Sequence, residues 1–170
     1  MDHNMFCFQC EQTAGCTGCT SRGVCGKDAQ TAQAQDRLTG ALIGLARAAD
    51  TSPDAGPETW QLMIEGLFAT LTNVNFDPDS LNALAGRVRA EKQRLVPDCA
   101  VCTAPCGRTG DYDLAQLWGA QEDIRSLKSL LLFGSRGMAA YAYHAMVLGY
   151  RDESVERFLS KALFAVGEDW

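Results

Sequence analysis

The sequence predicts an all-α fold, a helical bundle with an N-terminal cysteine-rich loop and a second cysteine loop. Apolar residues recur at three- and four-residue steps along most of the chain, aspartate and proline fall where helices should begin, and no useful stretch alternates as a strand does. With 170 residues, 46% of them hydrophobic, the chain can build one sizeable core. We predict a single domain over residues 1–170, with a cysteine loop at 1–27 and a bundle at 28–170 that carries the second loop at 96–110.

The first predicted helix follows the N-terminal cysteines. Asp28 can cap it, and it runs to about Asp50. Leu38, Leu42 and Leu45 form one apolar face on it.

Two further helices are predicted before the second cysteine loop. One begins near Pro57, a residue suited to a first helical turn, and carries Trp60 and Leu67. The other is capped by Asp77 and ends before Pro97.

The second half of the chain is also read as helical. A helix is expected from Leu114 through Leu132, with a break near Gly119 left open. An Ala- and Gly-rich helical stretch over 134–149 and a last helix over 153–166 complete the bundle.

Charge and composition narrow the functional classes. The net charge of −6 argues against nucleic acid and against an anionic membrane surface, and leaves room for a partner with a basic patch. Residues 1–10 lack the pattern of a secretory signal, and no apolar run reaches about 18 residues. We therefore expect a cytoplasmic protein.

The eight cysteines fall into two groups, five between Cys7 and Cys25 and three between Cys99 and Cys106. In a reducing cytoplasm, clustered cysteines indicate metal ligands or redox groups rather than structural disulfides.

The first group offers a C-x2-C-x8-C-x5-C set, made of Cys7, Cys10, Cys19 and Cys25. Four thiolates at this spacing suit an iron–sulfur cluster. Zinc is the competing interpretation, although zinc sites more often pair two C-x2–4-C knuckles. Phe6 and Phe8 could exclude water from one side.

These residues resemble the N-terminus of the hybrid cluster proteins, also called hydroxylamine reductases. The matching motifs are Met5-Phe-Cys-Phe-Gln-Cys-Glu-Gln-Thr-Ala, Gly18-Cys-Thr and Gly23-Val-Cys-Gly-Lys, followed in order by residues 66–77, 123–128 and 137–149. The resemblance implies a helical first domain whose four N-terminal cysteines bind a [4Fe-4S] cluster at this narrow spacing, or [2Fe-2S] at a wider one. It also favours Cys19 over the extra Cys16 as the third ligand.

The family's reductase chemistry does not carry over. It belongs to a hybrid cluster whose ligands lie in two later α/β domains, and those ligands have no positions in these 170 residues. We therefore do not expect the chain alone to be a complete hydroxylamine reductase, and whether it is an enzyme stays open.

The second group, Cys99, Cys102 and Cys106, has C-x2-C-x3-C spacing. We hypothesise a second iron–sulfur cluster with Cys16 as its fourth ligand. A three-cysteine cluster with one open iron, another metal, and a group of redox thiols are the alternatives.

Three other residues are weighed with these groups. Lys27 and Arg108 follow the two cysteine groups and either offset cluster charge or lie on a solvated face. His144 is expected to be a core histidine rather than a ligand.

The leading functional hypothesis is an electron-transfer protein that accepts electrons from a ferredoxin- or flavin-type donor and passes them to a partner reductase. The alternatives are an oxidoreductase or subunit acting on hydroxylamine, nitric oxide or a similar small molecule at an open cluster, and a redox or nitric-oxide sensor. Neither nucleic acid nor membrane is an expected partner, and a homo-oligomer stays open.

Overall fold

The computed structural model describes residues 5–10, 17–96 and 110–170. Six helices lie in these ranges: α1 (Ala29–Thr51), α2 (Pro57–Ala69), α3 (Pro78–Leu95), α4 (Leu114–Gly119), α5 (Glu122–Val147) and α6 (Glu153–Gly167). Within the same ranges, extended backbone pairs only as an isolated bridge between Cys7 and Cys19. The all-α prediction is confirmed, and none of the described helices is long and apolar enough to cross a membrane.

Aspartate side chains fix where four of the helices begin. Asp28 accepts from the Thr31 amide at 2.8 Å, at the start of α1. Asp77, Asp113 and Asp152 cap α3, α4 and α6 in the same way. Each carboxylate satisfies an amide that the helix itself leaves unpaired, so these starts are encoded locally.

Helix α1 is the centre of the bundle. Leu38, Leu42 and Leu45 on it are fully buried, and α1 packs mainly against α3 and α6, with α2 beside them. Leu67 of α2 and Leu163 of α6 complete the same core.

Helix α3 runs in the same direction as α1. Near the start of α1, the Gln35 amide donates to the Asn75 carbonyl just before α3, at 2.9 Å. Further along, a Cβ on Gly44 would lie 3.4 Å from the Nζ of Lys92 near the end of α3. Both helices therefore point their C-terminal ends away from the N-terminal cysteine segment.

The chain that follows the second cysteine group lies flat on the middle of α1. The Tyr112 amide donates to the Gly40 carbonyl at 3.0 Å. A Cβ on Gly40 would lie 2.3 Å from the Tyr112 carbonyl oxygen, and one on Gly44 would lie 2.9 Å from the Gly110 oxygen. Only glycine permits this approach of two backbones.

Candidate metal centre

A short antiparallel contact joins Cys7 and Cys19. The amide of each residue donates to the carbonyl of the other, with N···O distances of 3.0 and 2.8 Å. In such a mutually bonded pair, the side chains leave the same face and the Cα atoms are about 5.5 Å apart. The contact brings together two predicted ligands that are distant in sequence.

Gly18 makes the contact sterically possible. Its φ of +86° lies in the left-handed region. A Cβ there would lie 2.6 Å from the ring atom Cε2 of Phe6 and 3.3 Å from the carbonyl oxygen of Cys7. A glycine directly before Cys19 is therefore what allows Cys19 to approach Cys7.

A tight turn places Cys25 and the residue that follows it. The Gly26 amide donates to the Gly23 carbonyl at 2.8 Å, and the Gly23 amide donates to the Lys27 carbonyl at 2.8 Å. Cys25 is half-buried on this turn, whereas the side chain of Lys27 turns inward and is 2% exposed.

Of the four predicted ligands of the first group, Cys7 is buried, and Cys10, Cys19 and Cys25 are half-buried. Among residues 5–10, 17–96 and 110–170, no group of three or more His, Cys, Asp or Glu side chains lies close enough to share one metal ion. The thiolates of a four-iron cluster surround a larger core than those of a single zinc ion, so this finding concerns a mononuclear site.

Lys27 is the centre of a buried polar network beside Cys7. Its Nζ lies 3.9 Å from the Cys7 Sγ, within hydrogen-bond range for sulfur, and 2.9 Å from the Gln9 Oε1. It also donates to the Gln35 Oε1. All three donors of the ammonium group are used, so its direction is fixed.

The two glutamines are themselves held in place. The Gln9 amide donates to the Asp36 carboxylate, and the Gln35 amide donates to the Asn75 carbonyl at 2.9 Å. These bonds orient both carbonyl oxygens toward Lys27.

Arg136 of α5 is a second buried cation, 4% exposed. Its Nε donates to the Thr70 hydroxyl and its Nη2 to the Thr39 hydroxyl, each at 3.1 Å. Both hydroxyls donate onward to backbone carbonyls, at 3.0 and 2.9 Å. These two hydrogen-bond partners of the guanidinium, both in the described chain, are therefore neutral.

Burial shifts the ionisable groups of the network. Burial raises the pKa of the Cys7 thiol, against the pull of the Lys27 charge. Burial also raises the pKa of Asp36, opposed by the hydrogen bond from Gln9, and lowers the pKa of Arg136, opposed by Asp36, Cys7 and Cys10.

The donor set and its surroundings fit an anionic cluster. Burying an ammonium and a guanidinium is costly unless negative charge lies nearby. Asp36 is an acidic member of the network, and thiolates bound to iron would supply further negative charge at Cys7 and Cys10. The four cysteines would hold the cluster, and Lys27 and Arg136 would balance its charge.

An aromatic cluster covers one side of this segment. Phe6 and Phe8 pack against Trp118 of α4, with ring centroids 5.0 and 4.9 Å away. Phe8 is half-buried against the main core, whereas Phe6 is 36% exposed. The arrangement is compatible with the predicted exclusion of water on that side.

The predictions for the second cysteine group concern residues outside the described ranges. Cys16, Cys99, Cys102 and Cys106 lie outside the described residues, as does Arg108. The prediction for His144 is wrong: it is exposed near the end of α5 and packs edge-on against Phe68, with centroids 5.5 Å apart.

Several residues of the network were missed from the sequence. No sequence pattern marks Gln9, Gln35 or Asp36 as members of the network, because each is only a polar residue next to or among apolar ones. Arg136 interrupts the apolar stretch over 134–149, and that interruption was the available hint.

Comparison with known proteins identifies the chain's relatives. Residues 5–170 match the Prismane/CO dehydrogenase family. The chain is 39% identical over 186 residues to a hydroxylamine reductase of Desulfitobacterium hafniense strain Y51, covering 98% of this chain and 34% of that protein. It is 40% identical over 184 residues to a hydroxylamine reductase of Methanosarcina mazei, covering 97% of this chain and 33% of the relative.

A third relative, hydroxylamine reductase 2 of Clostridium acetobutylicum, is 35% identical over 207 residues, with 98% of this chain and 36% of the relative covered. The chain spans about a third of the length of these relatives. Because the family match extends over nearly the whole sequence, the chain belongs to the Prismane/CO dehydrogenase family.

Proposed function

We propose that the chain is an electron-transfer protein in which Cys7, Cys10, Cys19 and Cys25 hold one [4Fe-4S] cluster. Family membership supports an iron–sulfur-related function. The observation that carries the finer proposal is the burial of Lys27 at 2% exposure beside the Cys7 sulfur. A buried ammonium group in contact with a cysteine is stable when that cysteine is an anionic ligand.

A [4Fe-4S] cluster held by thiolates supplies one-electron transfer at a potential set by its surroundings. The chain's own residues would perform three tasks there. The Cys7–Cys19 contact orients two ligands, Lys27 donates toward the Cys7 sulfur, and the cluster of Phe6, Phe8 and Trp118 excludes water.

The partners follow from this role. We propose that a ferredoxin- or flavin-type donor reduces the chain and that a reductase accepts the electron, in a reducing compartment such as the cytoplasm. Cys7, Cys19 and Cys25 are thiols rather than disulfides, which is compatible with such a compartment.

The relatives' names favour a second candidate, in which the chain serves a hydroxylamine reductase as its electron-supplying part. In this candidate the chain passes electrons to a partner that carries out the reduction step. A second cluster at Cys99, Cys102, Cys106 and Cys16 stays a prediction.

The test is anaerobic purification, reconstitution with iron and sulfide, and metal counting per chain. We expect about four irons from the first site and about eight if the second group also holds a [4Fe-4S] cluster. The reduced sample should give the electron paramagnetic resonance (EPR) signal of a one-electron-reduced cluster. Zinc in place of iron would refute the proposal.

Single substitutions assign the ligands. Cys7→Ser and Cys25→Ser should lose the first cluster, whereas Cys16→Ser, the matched control, should retain it. A spectral change on adding hydroxylamine or nitric oxide would favour the enzyme or sensor alternatives over the carrier.

A further inference from the structure

The buried cations beside the cysteines are fixed more firmly than charge balance alone requires. Lys27 is oriented by the two glutamine oxygens as well as by its contact with the Cys7 sulfur. Holding an ammonium group in one direction costs side-chain entropy. The arrangement therefore suits a function that depends on the direction of the Lys27 N–H groups.

Arg136 is held with equal precision from another part of the fold. Thr39 of α1 and the residue after α2, Thr70, each accept from its guanidinium at 3.1 Å. Because both hydroxyls donate their own hydrogen to a backbone carbonyl, each presents a lone pair to Arg136. The buried Arg136 side chain lines a small cavity together with Phe8 and Gln9, the two residues between Cys7 and Cys10.

We propose that Lys27 and Arg136 are positioning residues that raise the reduction potential of the cluster, Lys27 through its contact with the Cys7 sulfur and Arg136 as a fixed charge. This inference rests on the proposed function. A reduced cluster carries one more negative charge than the oxidised cluster, so a fixed positive charge stabilises the reduced form more. Low dielectric and absence of salt screening make the effect strong in the interior.

The experiment compares midpoint potentials in EPR-monitored redox titrations of the reconstituted chain. In Lys27→Met, which removes the charge and retains the length, the ratio of reduced to oxidised cluster at a fixed applied potential should fall at least tenfold. For a one-electron couple that is a shift of about 59 mV to lower potential. Lys27→Arg should restore most of the ratio.

Lys161→Met is the matched control, since Lys161 is exposed on α6. This control substitution should change the ratio of reduced to oxidised cluster less than twofold. The same test is repeated at Arg136 with Arg136→Met and Arg136→Lys. Arg136→Met should also lower the midpoint potential of the cluster, whereas Arg136→Lys should retain it. The Arg136 pair decides the outcome if Lys27→Met does not fold.

The two ways of failing are distinguishable. A wild-type chain that binds no iron–sulfur cluster refutes the proposed function. If the wild type and the methionine variants all load about four irons and their reduced-to-oxidised ratios agree within twofold, the proposed function survives and this inference is overturned.

Discussion

Replacing Gly40 by alanine tests the close approach of two backbones at the middle of α1. A Cβ at this position would lie 2.3 Å from the Tyr112 carbonyl oxygen, a contact that no side-chain rotation can relieve. Residues 110–112 must therefore move away from α1, and the bond from the Tyr112 amide to the Gly40 carbonyl is weakened or lost.

One stabilising and two destabilising contributions set the expected change in the free energy of unfolding. Alanine in a helix interior favours folding by about 1 kcal/mol relative to glycine. Overpacking of this kind typically costs about 1–3 kcal/mol, and one lost hydrogen bond costs about 1 kcal/mol. We expect Gly40→Ala to lower the free energy of unfolding by about 1–3 kcal/mol.

The matched control is Gly86→Ala on α3. Gly86 is exposed, and a Cβ there would meet no atom within 4 Å. The same substitution should raise the free energy of unfolding there by up to about 1 kcal/mol. Urea unfolding followed by far-ultraviolet circular dichroism measures both changes. If Gly40→Ala stabilises the chain as Gly86→Ala does, the packing of residues 110–112 on α1 is wrong.

Three further predictions concern stability. Leu163→Ala, at a fully buried position, should lower the free energy of unfolding by about 2–5 kcal/mol, whereas Leu130→Ala, at 68% exposure, should change it by less than about 0.5 kcal/mol in urea titrations. Asp28→Ala removes the cap of α1 and should cost about 1 kcal/mol by the same assay, and an unchanged midpoint would argue against the cap. Although burial alone would raise the pKa of Asp111, hydrogen bonds from Lys92 and Arg89 hold this pKa below its ordinary value. The stability that the ionised Asp111 contributes should be complete above about pH 5 and be lost as pH falls through the lowered pKa. The Asp111→Asn chain should lack this part of the pH dependence of unfolding.

The helix starts were predictable because their signals are local. Asp28 and Asp77 bond to amides within three residues of themselves, so sequence neighbours contain the whole explanation. The second half of the chain was less clear. The sequence divides it near Leu132, whereas α5 continues without a break from Glu122 to Val147 after a separate short α4.

The polar network was not predictable in the same way. Arg136 finds its partners Thr70 and Thr39 far away in sequence, and these contacts exist only once α1, α2 and α5 have packed. Sequence reasoning left Lys27 between a charge-balancing role and a solvated face, and its burial favours the first. The exposure of His144 was missed because periodicity alone does not say which face of α5 the other helices cover.

Helix α1 carries the contacts of both cysteine segments on neighbouring turns. Gln35 and Asp36 bond to Lys27 and Gln9 of the first segment, whereas Gly40 lies against Tyr112, in the described chain that follows the second group. At 1.5 Å per residue, Asp36 and Gly40 are about 6 Å apart along the helix.

This distance is shorter than the screening length of about 8 Å at physiological ionic strength. Asp111 also lines one cavity with Phe6, Phe8 and Asp36, so a change of charge at Asp111 is felt at the first group. The helix is a shared support for the two segments, and a mutation in residues 110–112 therefore calls for a measurement at the first group as well.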